Sequence, residues 1–284
     1  MVVTDPARVT DNLRFFKMTG SGNDFVVVDV RKTSAAHLTA PATIQALCAR
    51  GTGIGADGLV LLEMTPGADF RMAYYNADGS RASMCGNAAL CCTRLVYELG
   101  LPASKDVAFE TDAGPMQGRL RDGQPEIDMT EASGVRPTTE ISLERTERRM
   151  GYAVVGVPHL TVLCDDVESI DLARRGKGLR SDPSVLPAGA NANFVSKAAL
   201  GGTWAMRTFE RGVEGETLAC GTGAVATAIL LTEWGLASNP VALQTRSGRG
   251  LTVRLERRGE RWKPSLAGEG RIVFEGLGRE LTPT

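Results

Sequence analysis

The sequence predicts an α+β protein built from two similar halves, each a set of strands closed around one buried helix. Three observations predict it. The first is an internal duplication: sliding the chain by 135 residues (220 − 85) lays CGTGAVATAILLTEWGL (220–236) over CGNAALCCTRLVYELGL (85–101) without a gap, seven of 17 positions being identical. The same offset sets PHLTVLCD (158–165) over NDFVVVDV (23–30) and TFER (208–211) over AYYN (73–76), in the same order, which chance does not readily supply. The second is that both cysteine-headed helices are apolar around most of their circumference, the mark of a helix buried on all sides. The third is that the segments around them read as strands and hairpins rather than as the alternating units of a layered α/β sandwich.

Taken in order, each half runs strand, loop, helical region, more strands, the cysteine-headed helix, then short strands. The first strand enters from a glycine-rich turn, Gly20–Gly22 in one copy and Gly156 in the other. Val27, Val28, Leu59–Leu62 and Val162–Leu163 are strand-like apolar runs. RLRDGQPEIDM (119–129) and LTVRLERRGERW (251–262) read as hairpins turning at Asp-Gly and Arg-Gly. The polar stretch 130–150 lies where the copies meet and reads as a linker, giving an N-terminal half over 1–129 and a C-terminal half over 130–275.

The composition narrows the function. With 284 residues, 43% hydrophobic, 23% charged and a net charge of −1, the chain has no electrostatic footprint for nucleic acid or a membrane surface. No run of 18 apolar residues marks a transmembrane span, and MVVTDPARVTDNLRFF lacks a signal-peptide core. Six cysteines (48, 85, 91, 92, 164, 220) have no CxxC spacing and are too sparse for a disulfide scaffold. They read as reduced thiols in a cytoplasmic protein with a small-molecule partner. A homodimer is compatible with the sequence and not specified by it.

Cys85 and Cys220 carry the chemistry. A helix start has unpaired N–H groups and partial positive charge, which lower a thiol pKa. The adjoining glycines, Gly86 and Gly221, let a carboxylate approach those N–H groups. Two such turns facing one another across a pseudo-twofold place a thiol on each side of a substrate. That suits inversion of a stereocentre, in which one group removes an α-proton and the other returns one to the opposite face. The weak acidity of an amino-acid α-proton requires donors aimed at its carboxylate, and helix N-termini supply them. No Schiff-base lysine or cofactor motif is visible, so neither pyridoxal phosphate nor a metal is expected. Cys48, Cys91, Cys92 and Cys164 read as small core residues. A metal site from Cys85, Cys91, Cys92 and His159 is poorly spaced.

At these residues the chain resembles the diaminopimelate epimerase family. The resemblance runs from about Phe16 to the C-terminus, on KMTGSGNDFVVVD (17–29), GIGADGLVLL (53–62), YNADGSRASMCGN (75–87), GVPH (156–159), GANANFV (189–195) and ERGVEGETLACGTGA (210–224). It implies two similar α+β domains, each a mostly antiparallel sheet wrapped around a central helix, with the site in the cleft and the last segment, 276–284, returning to the first domain. It implies Cys85 and Cys220 as the acid/base thiols, assisted by His159 near the first and Glu210 near the second. Asn23, Asn76, Asn191 and Arg211 would bind substrate, and the backbone of Gly86-Asn87 and Gly221-Thr222 would hold the carboxylate at the reacting end. The activity implied is cofactor-independent interconversion of LL- and meso-2,6-diaminopimelate.

Other readings stand beside these. His159 could be a satisfied core histidine, Asn76 the first residue of the turn NADG, Asn23 a shaper of its glycine loop, and Glu210 with Arg211 an exposed ion pair. His37, in a polar loop, has no role. Departures from the family pattern touch the substrate rather than the chemistry. Val157 stands where many members have asparagine, Val154 and Val155 where others have Asn-Thr, Ala88 and Leu90 are unusual, and ERGVEGET is one residue longer than the shorter form. The rivals are a racemase of another amino acid, such as histidine, a non-catalytic amino-acid-binding relative, and a cysteine hydrolase using Cys85 and His159. The last leaves Cys220 without a purpose.

Overall fold

A computed structural model describes residues 13–102, 104–198, 202–259 and 261–279. The chain divides into two compact units, one running to Ile127 and resuming at Glu269, the other spanning Asp128–Gly268.

In the first unit, β1 (Arg14–Gly20) and β2 (Asn23–Asp29) form a hairpin, and β2 pairs parallel with β3 (Gly58–Glu63). β4 (Phe70–Asn76) pairs antiparallel with β3, and carries the short β5 (Arg81–Ala82) at one end and the parallel β6 (Asp106–Thr111) at the other. β7 (Gly114–Arg121) and β8 (Gln124–Asp128) close the sequence of antiparallel pairs. The turn between them, Asp122-Gly123, has both φ values positive (52° and 78°), the type I′ geometry that Asp-Gly favours. Helix α1 (Pro41–Cys48) covers one sheet face, with Val26, Val28, Leu59 and Leu61 beneath it. Helix α2 (Gly86–Glu98) lies against β1, β2, β4, β7 and, later in the chain, β18 (Arg271–Leu277). With both faces covered, Phe25–Val28 and Leu59–Leu62 are all buried, which explains why they read as unbroken apolar runs.

The second unit repeats this plan. β10 (Glu147–Val155), β11 (Val157–Cys164), α3 (Leu172–Arg180), β12 (Asn191–Lys197), β13 (Trp204–Glu210), β14 (Gly215–Thr217), α4 (Gly221–Glu233), β15 (Val241–Gln244), β16 (Gly250–Arg258) and β17 (Arg261–Ala267) follow in the same order. The pairings repeat too: β11 is parallel to β12 and β13 to β15, and the rest are antiparallel. The ends of α2 and α4 explain the repeated Gly-Leu of the duplication. Gly100 (φ 66°) and Gly235 (φ 70°) take the left-handed conformation past each helix end. Leu101 N–H then donates to Val96 O at 3.0 Å, and Leu236 N–H to Leu231 O at 2.9 Å, a Schellman closure in both copies.

Two segments differ from the sequence expectation. Residues 130–150 are not a plain linker: β9 (Ser133–Arg136) pairs with β10, which itself begins at Glu147. Its register partners, Ser133 with Val154 and Arg136 with Tyr152, extend the second sheet, a role its polarity concealed. The return to the first unit begins at Glu269, before the expected 276, because β18 pairs along the length of β1 from Thr19↔Arg271 to Arg14↔Leu277.

Candidate active site

Cys85 and Cys220 occupy the same structural position, each the extended N-cap residue of a central helix (φ −140°, ψ 118° and φ −128°, ψ 108°). Neither side chain makes an N-cap hydrogen bond in its own helix. None of the six cysteines is in a disulfide. Cys85 is half-buried, whereas Cys220 is 6% exposed. Cys48, Cys91, Cys92 and Cys164 are buried core residues, as their apolar settings imply.

In the first unit the site rests on a hydrogen-bond chain. Asn87, in the first turn of α2, donates to Asn23 Oδ1 at 2.8 Å, and Asn23 donates to Asp57 at 3.0 Å. Asp57 and Asp24 accept one another's backbone N–H at 3.1 Å, and Arg50 bridges both carboxylates at 2.6 and 2.8 Å. Lys17 reaches Asp24 at 2.6 Å and also donates to Gly55 O. Burial pushes the Asp24 carboxyl up, but Arg50 and Lys17 outweigh it and hold the group below its ordinary value. Asp57, Arg50 and Lys17 had no assigned role in the sequence reading. Asp57, inside GIGADG, and Lys17, at the head of KMTGSGNDF, lie in motifs that carry the resemblance, and Arg50 lies in none. Asn76 lies in the turn that NADG predicts: its N–H donates to Ser80 O at 2.8 Å and its amide to Ser80 Oγ at 3.0 Å. Ser21 Oγ and Asn87 Oδ1 are buried without a hydrogen-bond partner among the described residues, an uncommon condition for native polar atoms.

In the second unit, β13 ends at Glu210 and Gly212 turns at φ 92°, so the adjacent Glu210 and Arg211 are freed from strand alternation. Arg211 N–H donates to Asn191 Oδ1 at 2.8 Å, and its guanidinium donates to Ala188 O at 2.8 Å. His159 is opposite Asn191 in the β11–β12 register and is fully buried. Burial first, then the Arg211 charge, pulls its pKa down to about 3, so it is neutral. Burial likewise raises the Glu210 carboxyl.

The expectation that a helix start lowers the thiol pKa fails at Cys220. Burial, then the Glu210 carboxylate, pushes it up to about 12, and the Thr222 hydroxyl and the Gly223 and Thr222 amides do not offset them. Cys220 therefore rests as a thiol. The alkylation rate of Cys220 by iodoacetamide, read by peptide mass spectrometry over a rising pH series, should keep climbing beyond the ordinary thiol value of 9.0. Its midpoint should move down in Glu210→Gln. A plateau near neutrality would contradict this assignment.

Among the described residues, no group of three or more His, Cys, Asp or Glu is placed to hold a metal ion, and no helix is long and apolar enough to cross a membrane. The sequence model of the diaminopimelate epimerase family matches residues 15–135 and 151–270, one stretch in each copy of the duplication. A diaminopimelate epimerase of Gemmatimonas aurantiaca is 47% identical over 274 residues, 93% of this chain and 98% of that protein. One from Aquifex aeolicus is 37% identical over 274 residues, 93% and 97% of the two chains. Among solved structures, a PhzF-family phenazine biosynthesis protein of Bacillus anthracis has a TM-score of 0.71 at 16% identity, covering 95% of this chain and 99% of that one. A hydroxyproline epimerase of Agrobacterium vitis has a TM-score of 0.62 at 19% identity, covering 93% and 91%. These structures share the fold; the sequence matches go further, and by them the chain belongs to the diaminopimelate epimerase family.

Proposed function

We propose that this protein interconverts LL- and meso-2,6-diaminopimelate by a two-base mechanism that needs no pyridoxal phosphate. The observation that carries the reading is the pair of equivalent N-cap cysteines, Cys85 and Cys220, each followed by a glycine on the first turn of a central helix. In the proposed reaction a thiolate takes the α-proton from one face. The carbanion is stabilised through its carboxylate by the amides of Gly86-Asn87 and Gly221-Thr222. The opposite thiol donates a proton to the other face, so the product leaves with the two sulfurs in exchanged protonation states. In one direction Cys85 would be the base and Cys220 the acid, and in the reverse direction the two would exchange roles. His159 and Glu210 assist the thiols, and Asn23, Asn76, Asn191 and Arg211 hold the substrate. The enzyme would work in the cytoplasm on a small amino acid, with no nucleic-acid or membrane partner.

Val157 favours a second reading within the same chemistry, since an apolar side chain there offers no hydrogen bond to the far end of the substrate. Turnover in deuterium oxide separates the readings. With LL-diaminopimelate, deuterium should enter the α-carbon as the meso isomer forms. Exchange with another amino acid, such as histidine, and not with diaminopimelate would favour the racemase. Binding without any exchange would leave only a binding protein.

A further inference from the structure

The face of the second sheet beneath α4 is unusually polar. Leu160, Val162 and Phe194 turn toward the core shared with α3, which leaves His159, Thr161 and Asn193 on the opposite face by strand alternation. Thr161 Oγ1 there lies 3.4 Å from Thr227 Oγ1 of α4. Asn193 is fully buried and sits between three groups. Its Nδ2 donates to Leu160 O at 3.0 Å and lies 3.3 Å from His159 Nδ1, while its Oδ1 accepts from the Thr208 hydroxyl at 3.0 Å. Thr208 is its cross-strand partner.

The Leu160 carbonyl decides the orientation of this amide. A carbonyl has only lone pairs to offer, so the amide atom 3.0 Å from it must be the NH2 group. The reversed amide would set two acceptor oxygens against each other inside a buried site. With Nδ2 so placed, its second hydrogen points at His159 Nδ1, which must therefore accept. An imidazole whose Nδ1 accepts carries its proton on Nε2. That Nε2 is buried and has no hydrogen-bond partner among the described residues.

We infer that Leu160 O and Asn193, with Thr208 holding the far end of the amide, lock His159 in the Nε2–H tautomer, so that its buried Nε2 is a hydrogen-bond donor and not a proton-accepting lone pair. Asn193 and Thr208 are then positioning residues. The consequence for the proposed reaction, on which this role rests, is that His159 stabilises a thiolate and does not itself remove a proton. The imidazolium would turn an Nδ1–H against the Asn193 NH2, a clash of donors that adds to burial and the Arg211 charge in keeping the ring neutral.

The test is tautomer measurement by two-bond 1H–15N correlation on protein carrying 15N-histidine. It is tractable because the chain has two histidines, His37 and His159. The wild-type His159 signal should show Nε2 protonated and Nδ1 bare. Asn193→Asp places an acceptor at Nδ1 and should reverse the tautomer, lowering kcat by about 10²-fold or more with little change in KM, the scale of losing one preorganised donor. Thr208→Val, nearly the same shape and burying no new charge, leaves the Leu160 carbonyl to orient the amide and should keep the Nε2–H tautomer. A wild-type ring protonated at Nδ1, an unchanged tautomer in Asn193→Asp, or a reversed tautomer in Thr208→Val overturns the inference. The spectrum does not depend on turnover. If it agrees while Cys85→Ala and Cys220→Ala keep epimerising, the two-thiol reading fails and the lock stands.

Discussion

Replacing either Cys85 or Cys220 by alanine is expected to lower epimerisation by about 10³-fold or more, the scale expected when an essential proton-transfer group is removed. In the proposed reaction each thiol serves a different face of the stereocentre, so neither would substitute for the other. The fold should survive. Neither sulfur caps its helix, Cys85 is half-buried, and loss of one sulfur atom from Cys220 costs about 1 kcal/mol, within the range of ordinary single substitutions. Far-UV circular dichroism and the thermal midpoint check the fold, and proton-to-deuterium exchange checks the chemistry. The two variants also separate the rival enzymes. A hydrolase built on Cys85 and His159 would lose activity with Cys85→Ala and keep it with Cys220→Ala. Substantial residual inversion in either variant would refute the two-base assignment.

What the sequence made legible was local or repeated. Asp122-Gly123 specified its hairpin because few residues other than glycine and asparagine-like side chains accept two successive positive φ values. The Gly-Leu closing α2 and α4 was visible as identity between copies before its Schellman geometry explained it. The cysteines at 85 and 220 stood out for the same reason: the duplication singled out two thiols from six.

What remained hidden depended on contacts distant in the chain. Nothing near Asn23 announces that Asp57, 34 residues on, holds its amide while Arg50 ties Asp57 to Asp24. Asn193 shares the motif GANANFV with Asn191. Its tell was alternation: a second asparagine two residues on in an apolar strand must bury its amide on one face, and a buried amide needs partners. The Cys220 pKa departs from the sequence expectation because helix polarity is a property of sequence position, whereas desolvation depends on what closes over the sulfur. The same burial sets His159.

The second large effect concerns the glycines of the two first turns, which are required for opposite reasons. A Cβ at Gly223 would lie 2.3 Å from Asn193 Oδ1 and 3.2 Å from Cys220 Sγ. Asn193 cannot yield, because Leu160 O and Thr208 hold its amide in place. Gly223→Ala should therefore destabilise the protein by about 1–3 kcal/mol, the usual cost of overpacking a tight site, and displace the amide facing His159 as it does so. A Cβ at Gly86 meets nothing within 4 Å, and Gly86 does not require the left-handed conformation. Gly86→Ala should leave stability unchanged or raise it by up to about 1 kcal/mol, because alanine is the better helix residue. Its methyl would instead fill the space through which a carboxylate reaches the α2 amides, so kcat/KM should fall by about tenfold or more while the thermal midpoint holds. Thermal unfolding and turnover measured on both variants read the two effects separately. A Gly86→Ala enzyme with full activity would remove the carboxylate cradle from the first helix, and a Gly223→Ala protein as stable as wild type would mean that the Asn193 amide is not fixed.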